Sequence, residues 1–280
     1  MQNPRMTYSS RKKFIFTITP GHTGTTFLAD LLKRNLPNSE IHHEILGYDK
    51  FGVDTPDVSH MTLFNSQGNV DKVKSFWSQK LEKIIFSPCD VYGETSHLLV
   101  KAGLMENISP LFEYGEVYII DLRRNIEKII LSLRKRYDFL NKGNMWLWHL
   151  DPDYPRNLVN TSAFLPLGVE GIRYWYVCEM YARAEYYKQL FINNDNVHFI
   201  SIDIDDLSNP QVAQSFLAQL GHDVEISAIN FPPQRNVSTG NVDKKVLTRI
   251  RNMIKVSKFD AMSIVEPVIS KYGYQSVWTL

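Results

Sequence analysis

Short apolar runs alternate with amphipathic stretches along the chain. Apolar runs bounded by turn residues are typical of buried strands, and apolar residues three and four positions apart are typical of helices. The pattern predicts strands at 13–19, 90–93, 116–122 and 197–202, an extended piece at 40–44, and helices at 25–34, 70–86, 126–137, 171–191 and 211–220, followed by two C-terminal helices. Turn-forming residues predict long loops at 54–69 and 141–168. Such alternation indicates an α/β fold in which one parallel sheet is flanked by helices on both faces.

Composition narrows the class of protein. A chain of 280 residues with 44% hydrophobic residues buries a large core, and we expect a single domain over 1–280 with a flexible N-terminus over 1–12. A formal charge of +1 argues against a nucleic-acid coat or a polybasic membrane protein. Two cysteines exclude a disulfide framework. No apolar run approaches the roughly 20 residues of a membrane span. We therefore expect a soluble, cytoplasmic protein with no nucleic-acid or membrane partner.

The segment Pro20–Leu28 lies between the first predicted strand and the first predicted helix. There, backbone N–H groups and the positive end of the helix point to one spot, which suits a phosphate or a sulfate. We predict that the anion is bound by Gly21, His22, Thr23, Gly24, Thr25 and Thr26. The segment is not a Walker loop, because only two residues separate its glycines and no lysine follows the second one.

A second candidate anion site begins at Arg124, between the strand at 116–122 and the next helix. Asn125 is predicted to cap that helix, since asparagine is a favoured N-cap residue. Ser132 follows Asn125 by about two helical turns, so its hydroxyl returns to the same helix face. A guanidinium fork with a nearby hydroxyl is suited to hold a second phosphate.

Together the two motifs resemble those of the sulfotransferases that use 3′-phosphoadenosine 5′-phosphosulfate (PAPS). In that family a strand–loop–helix of the type Lys/Arg-Ser-Gly-Thr-Thr holds the 5′-phosphosulfate, and an arginine followed eight residues later by a serine holds the 3′-phosphate. The segment 22–26 and the pair Arg124 and Ser132 match both motifs in the same order. The acidic turn 205–207 and the helix after it are also similar to the family, so the resemblance covers most of the chain.

The resemblance implies a P-loop-like fold and in-line transfer of a sulfuryl group from PAPS to a hydroxyl or amine, with the 3′,5′-bisphosphate as product and no metal ion. Three positions depart from the family pattern. His22 stands where a lysine or arginine opens the first loop, Ile204 stands where the late strand often has a tyrosine, and Glu94–His97 lacks the lysine of a Glu-Lys-Ser/Thr-Pro segment. Two of these changes remove positive charge near the leaving phosphate, and His22 is the candidate donor to the leaving oxygen.

The reaction needs a base that removes the acceptor's proton. Glu44 is the first candidate, because protein-tyrosine and heparan-type members carry a glutamate base about this far beyond the first loop. His43 is the second, since cytosolic members often use a histidine, and His97 is a third. His42 and His43 are adjacent, but no third ligand has recognisable spacing, so no metal site is predicted.

The loop at 234–240 resembles the family's late loop over the 3′-phosphate, in which Arg235 and Ser238 are candidate donors. The aromatic residues that are candidates for the wall of an acceptor pocket are Trp146, Trp148, His149 and Tyr154. We expect the acceptor to be a small metabolite or natural product, and a glycan or a protein tyrosine stays open. Two other functions also stay open: an inactive module that binds a nucleotide or sulfate, and a P-loop-like small-molecule kinase.

Overall fold

The computed structural model describes residues 11–140, 148–233 and 243–279. The described strands are β1 (Lys12–Ile18), β2 (Ser39–His42), β3 (Val91–Glu94), β4 (Gly115–Arg123) and β5 (Val197–Asp203). They form one sheet in the order β2-β3-β1-β4-β5, and every neighbouring pair is parallel. The predicted α/β class with a central parallel sheet is confirmed.

Helices connect successive strands. Those in the described residues are α1 (Thr25–Asn35), α2 (Val58–Gln67), α3 (Asp71–Ile85), α4 (Leu104–Asn107), α5 (Ile126–Lys135), α6 (Gly168–Leu190), α7 (Pro210–Gln219), α8 (Lys244–Ser257) and α9 (Ala261–Tyr272). None of the helices in these ranges is long and apolar enough to cross a membrane. Most of the predicted flexible segment 1–12 lies outside the described residues, and Lys12 is already the first residue of β1.

Helices cover both faces of the sheet, as predicted. Successive residues of a strand point to opposite faces. Phe14 and Phe16 of β1 therefore pack in the cluster that contains α3, α5 and α6, whereas Ile15 packs in a second cluster with α1 and α7. Because both faces are buried, the central strands are continuously apolar, which is typical of parallel sheets.

The prediction of a long loop at 54–69 is wrong, because α2 lies within it. The Asp57 carboxylate accepts a hydrogen bond of 3.0 Å from the His60 amide, and the His60 side chain bonds back to the Asp57 amide. This capping box starts the helix. Met61 and Phe64 then pack in the core, and this packing stabilises the helix. The helix was not predicted because turn-forming residues on either side of it obscure the helical spacing of its apolar residues.

The second long loop, predicted over 141–168, is largely irregular in its described part. Turns occupy most of 148–164, and one short 3₁₀ turn forms over Leu165–Leu167. Residues 141–147 lie outside the described residues. Helix α6 begins at Gly168, slightly earlier than predicted, and most of its residues are buried.

Candidate active site

The first predicted anion loop joins the carboxyl end of β1 to the first residue of α1. Gly21, His22 and Gly24 all have positive φ, at 82°, 58° and 85°. No side chain of the described residues caps α1, since Gly24 occupies its N-cap position. The first amides of α1 are therefore available to a ligand, as the sequence predicts for a loop that binds an anion.

Two close approaches hold this loop. A Cβ on Gly24 would lie 2.6 Å from Cγ1 of Ile204, which follows β5. A Cβ on Gly21 would lie 3.3 Å from Cγ of His97. The two glycines are therefore needed both for their positive φ and for the space that a side chain would fill. The loop packs against residues that follow β3 and β5.

The threonines of the loop divide into two groups. Thr23 is fully buried, and its hydroxyl bonds to that of Thr19, which also accepts a hydrogen bond of 3.3 Å from the Gly21 amide. The Thr25 main-chain carbonyl accepts a hydrogen bond of 3.0 Å from Thr95 Oγ1. The hydroxyl of Thr23 is thus engaged in the loop itself, whereas Thr25 and Thr26 begin the helix.

The two predicted anion motifs meet in space. Arg124 Nη1 donates a hydrogen bond of 2.9 Å to the His22 main-chain carbonyl, and Ser132 Oγ shares one of 2.8 Å with His22 Nδ1. Arg124 Nε is buried and has no hydrogen-bond partner in the described residues. The predicted Asn125 cap is confirmed, since its side chain accepts from the Lys128 amide at 3.2 Å.

A buried cluster lies behind His22. Its Nε2 is 3.3 Å from Asp138 Oδ2, and His149 Nε2 is 4.0 Å from the same oxygen. Burial, with the nearby charge of Lys101 and then of His22, holds the pKa of His149 well below its ordinary value. His149 is therefore a neutral imidazole near neutral pH.

Glu44 and His97 are brought together by the loops after β2 and β3. Glu44 Oε1 lies 3.5 Å from His97 Nε2, and Lys101 Nζ lies 2.8 Å from His97 Nδ1. Lys101 also donates to Tyr176 Oη at 2.9 Å and to the Trp148 carbonyl. With Lys101 donating to Nδ1, the proton of the neutral His97 ring is on Nε2, facing the Glu44 carboxylate.

Burial has the largest effect on the pKa values of Lys101 and His97. It lowers the pKa of Lys101 well below its ordinary value, against the opposing attraction of the Glu44 carboxylate. Burial, followed by the charge of Lys101, also lowers the pKa of His97 well below its ordinary value. A neutral His97 accepts a proton only weakly, whereas Glu44 next to it is partly exposed.

His43 faces the loop after β3 as well. Its Nδ1 donates a hydrogen bond of 3.0 Å to the Thr95 carbonyl, so a neutral ring keeps its lone pair on Nε2. Glu94, the first residue of the altered family segment, is engaged elsewhere: its Oε2 is 2.7 Å from Lys80 Nζ and accepts from Tyr92 at 3.2 Å. This buried ion pair anchors the end of β3 beneath the site.

Four further predicted residues are not seen in this cluster. Three of them, Arg235, Ser238 and Trp146, lie outside the described residues, so the structure does not test them. Tyr154 Oη donates to Thr62 Oγ1 on α2 at 3.3 Å. Trp148, in contrast, lies beside the site, where its carbonyl accepts from Lys101 and its ring stacks on Phe51 at 5.0 Å.

Three residues of the cluster were not predicted from the sequence: Lys101, Asp138 and Tyr176. Lys101 follows His97 by four residues, a spacing at which side chains meet on one helical turn, so this contact had a sequence signal. Asp138 follows α5, where no motif marks it. Tyr176 lies in α6, which contains several tyrosines, and nothing in the sequence distinguishes it from the others. Tyr176 Oη donates 2.9 Å to the Pro20 carbonyl, a contact that only the fold creates.

No family model and no curated protein matches the sequence. The chain is similar to a sulfotransferase from Alicyclobacillus acidocaldarius, with 15% identity and a TM-score of 0.45 over 97% of this chain and 100% of that one. It is similar to mouse sulfotransferase SULT7A1 complexed with PAP, with 18% identity and a TM-score of 0.41 over 78% and 60%. It is also similar to the sulfotransferase domain from the curacin biosynthetic pathway, with 14% identity and a TM-score of 0.43 over 95% of this chain and 98% of that one. All three of these proteins are sulfotransferases.

Proposed function

We propose that this protein is a sulfotransferase that moves a sulfuryl group from PAPS to a hydroxyl or amine of a small-molecule acceptor in the cytoplasm. The observation that carries the proposal is the meeting of two anion motifs at the carboxyl end of the sheet. Arg124 and Ser132 both bond to His22, which lies in the loop before the uncapped helix α1. A ligand with two separate phosphate-type groups fits this arrangement, because each motif supplies its own donors.

The residues divide into two binding groups in this proposal. The α1 amides with the Thr25 and Thr26 hydroxyls bind the 5′-phosphosulfate, since helix N-termini favour anions. Arg124 and Ser132 bind the 3′-phosphate. The buried Arg124 Nε has no hydrogen-bond partner in the described part of the chain, so the guanidinium keeps a donor for an incoming oxygen.

PAPS supplies an activated sulfuryl group on a bisphosphate that leaves. The acceptor oxygen or nitrogen bonds to sulfur as the sulfur–oxygen bond to the 5′-phosphate breaks, and the acceptor's proton passes to a base. His22 donates a hydrogen bond to the oxygen where negative charge develops, and donors preset at that place lower the barrier. Asp138, 3.3 Å from His22 Nε2, orients the ring.

Glu44 is the proposed base. Its carboxylate is partly exposed and faces His97 Nε2 at 3.5 Å, so it can be reached by an acceptor and is oriented by the ring. His97 is the weaker candidate, because its Nδ1 is taken by Lys101 and its proton is on Nε2. His43 stays an alternative, since its Nε2 carries a lone pair when the ring is neutral.

Thermal unfolding with two nucleotides tests the donor. The 3′,5′-bisphosphate should raise Tm far more than 5′-AMP does, because only the former fills the place of Arg124 and Ser132. A ligand at 100 times its Kd stabilises by about 2.7 kcal/mol. Arg124→Ala should abolish the difference, since a hydrogen bond to a charged group contributes about 1.5–3 kcal/mol. Equal shifts from both nucleotides would exclude PAPS as the donor.

Turnover distinguishes the remaining functions. An inactive module should bind the 3′,5′-bisphosphate tightly without releasing it from PAPS in the presence of any acceptor. Binding of ATP with Mg²⁺ in preference to the bisphosphate would favour a small-molecule kinase. Incubation of the protein with PAPS and a panel of small alcohols and amines, followed by mass spectrometry for a sulfonate gain, identifies the acceptor class.

A further inference from the structure

Three possible metal ligands from distant parts of the chain converge behind the first loop. They are His22 of the loop, Asp138 after α5 and His149 before α6, and one ligand atom of each lies within 4.8 Å of the others. His22 Nε2 and His149 Nε2 lie 3.3 Å and 4.0 Å from Asp138 Oδ2. The adjacent His42 and His43, which raised the question of a metal in the sequence, are not part of this group.

The polar atoms of the group are short of partners. His149 is 8% exposed, and neither of its ring nitrogens has a hydrogen bond within the described residues. Asp138 Oδ2 is also buried without a hydrogen bond there. Buried polar atoms are almost always paired, and an unpaired one costs about 1–3 kcal/mol. An ion between His149 Nε2 and Asp138 Oδ2 would give a partner to both of these atoms.

The surroundings hold the three side chains as the outer contacts of a metal site do. His22 Nδ1 is bonded to Ser132, which leaves Nε2 to face Asp138. The Asp138 main-chain carbonyl accepts from Arg173 Nε and Nη2 at 3.0 Å and 2.7 Å. The His149 ring packs between Phe139 and Tyr176, with centroids at 4.8 Å and 5.0 Å. The Ser132 bond to Nδ1 is the kind of outer contact that orients a histidine ligand and leaves Nε2 for a metal, and the other contacts hold the Asp138 main chain and the His149 ring in place.

We propose that His22, Asp138 and His149 bind one zinc ion. Two imidazoles and one carboxylate form a recognised donor set for Zn²⁺, with a fourth position left for water or another ligand. Bonds of about 2.0–2.2 Å in a tetrahedron place ligand atoms about 3.3 Å apart. The His22–Asp138 separation already has this value, whereas His149 Nε2, 4.0 Å from the same carboxylate oxygen, must move closer to complete the set.

The zinc site goes beyond sulfuryl transfer and does not depend on it. An ion bound to His22 Nε2 would come between that nitrogen and Asp138, and would replace the contact that orients the ring in the proposed sulfuryl transfer. Zinc would therefore hold the first loop in a resting form, tied to the residues that follow α5 and precede α6.

Cobalt titration tests the site directly. Metal-free protein would be titrated with Co²⁺, whose visible absorption reports a tetrahedral site of nitrogen and oxygen ligands, and Zn²⁺ would then be added in competition. We expect one equivalent of Co²⁺ to bind and Zn²⁺ to displace it. Zn²⁺ should also raise the Tm of the unsubstituted protein, because the ion binds only the folded chain.

Two variants and one control localise the ion. Asp138→Asn and His149→Phe should each weaken binding by about 100-fold or more, since loss of a ligand exceeds the 10–100-fold cost of losing an outer contact. Phenylalanine is chosen because it can pack between the same two rings. The control is His198→Ala on β5, a half-buried histidine 3.7 Å from Glu116 and outside the proposed ligand group, and this variant should bind Co²⁺ normally.

The outcomes are separable from those for the nucleotide. Absence of saturable Co²⁺ binding and of a Zn²⁺ shift in Tm in the unsubstituted protein would overturn the site without use of any variant. Binding that survives Asp138→Asn or His149→Phe would overturn it as well. A protein that binds one Zn²⁺ but that in its metal-free form does not bind the 3′,5′-bisphosphate would refute the proposed sulfuryl transfer and retain the metal site.

Discussion

Nδ1 of His22 and Oγ of Ser132 share a hydrogen bond of 2.8 Å, although 110 positions separate them in the sequence. One residue belongs to the loop before α1 and the other to α5. The bond therefore couples the two places where we propose that the nucleotide is held. A ligand that engages Ser132 must share or break this bond, so occupation of one motif affects the orientation of the imidazole in the other.

His22→Ala should lower kcat by about 10²–10³-fold, the usual cost of losing one donor at a developing charge, and should change the KM for PAPS little. His22→Lys should retain most of the turnover, because the ammonium can also donate to the leaving oxygen. Steady-state kinetics with PAPS as the varied substrate measure both values. His42→Ala is the matched control, since that histidine pairs with Glu40 at 2.8 Å on β2. Full activity of His22→Ala would assign the donor to another group.

Glu44→Gln should lower turnover by about 10²-fold or more while leaving affinity for the 3′,5′-bisphosphate unchanged, because the amide keeps the shape but cannot take a proton. Calorimetry and single-turnover rates separate the two effects. If Glu44→Gln turns over normally and His43→Ala does not, the base is His43. His97→Gln is the corresponding test for the third candidate.

Glu106 of α4 should make stability fall with rising pH. Burial raises the pKa of its carboxyl to about 7, against hydrogen bonds from Tyr187 at 2.8 Å and Ser276 at 2.7 Å. The unfolded chain releases this proton near its ordinary value of 4.5, so the folded state holds one more proton between about pH 4.5 and 7. Its stabilising contribution is present below pH 4.5 and is lost as the pH rises through 7.

The size of this effect follows from the two pKa values, at about 1.4 kcal/mol per unit, which gives about 3 kcal/mol in total. Glu106→Gln should therefore unfold at a Tm that depends less on pH between 5 and 8. Urea unfolding at several pH values measures the free energies directly. An unchanged pH slope in Glu106→Gln would show that this carboxyl is already ionised in the folded state.

Gly24→Ala should destabilise the fold by about 2 kcal/mol or more. It combines a left-handed backbone, which costs about 1–2 kcal/mol for a residue with a Cβ, with the 2.6 Å approach to Ile204. Gly52→Ala is the control, since φ there is also positive at 77° but the new Cβ meets only Asp57 at 3.5 Å.

A double variant separates the two costs. Gly24→Ala should cost less stability in an Ile204→Ala background than in the unsubstituted protein, because the close atom is then gone. Urea unfolding of the four proteins in this cycle gives the coupling free energy. Equal costs in both backgrounds would mean that the backbone conformation alone requires glycine.

The parts of the site that depend on local chemistry were predictable from the sequence. The glycines and threonines before α1 and the capping role of Asn125 are local signals, and in the structure Gly24 stands at an uncapped start of α1 while Asn125 caps α5. Helix α2 escaped prediction, because its stability comes from the burial of Met61 and Phe64 rather than from a clear apolar period.

The cluster behind His22 could not be predicted. Asp138 and His149 lie in a region rich in turn formers, and no spacing rule links them to a loop more than one hundred positions earlier in the sequence. Asp138 and His149 come close to His22 because of the way α5 and α6 pack against each other. The local sequence pattern does not determine that packing. Lys101 differs, because its distance of four positions from His97 was a readable signal.

Main-chain carbonyls make many of the contacts between the loops at this end of the sheet. Tyr176 bonds to the Pro20 carbonyl, Arg124 to that of His22, Thr95 to that of Thr25 and His43 to that of Thr95. Every amino acid carries the same carbonyl, so the framework tolerates exchange of the side chains at the accepting positions. Exchange of the side chain at position 22 would therefore leave in place the bond from Arg124 to the main chain of the first loop.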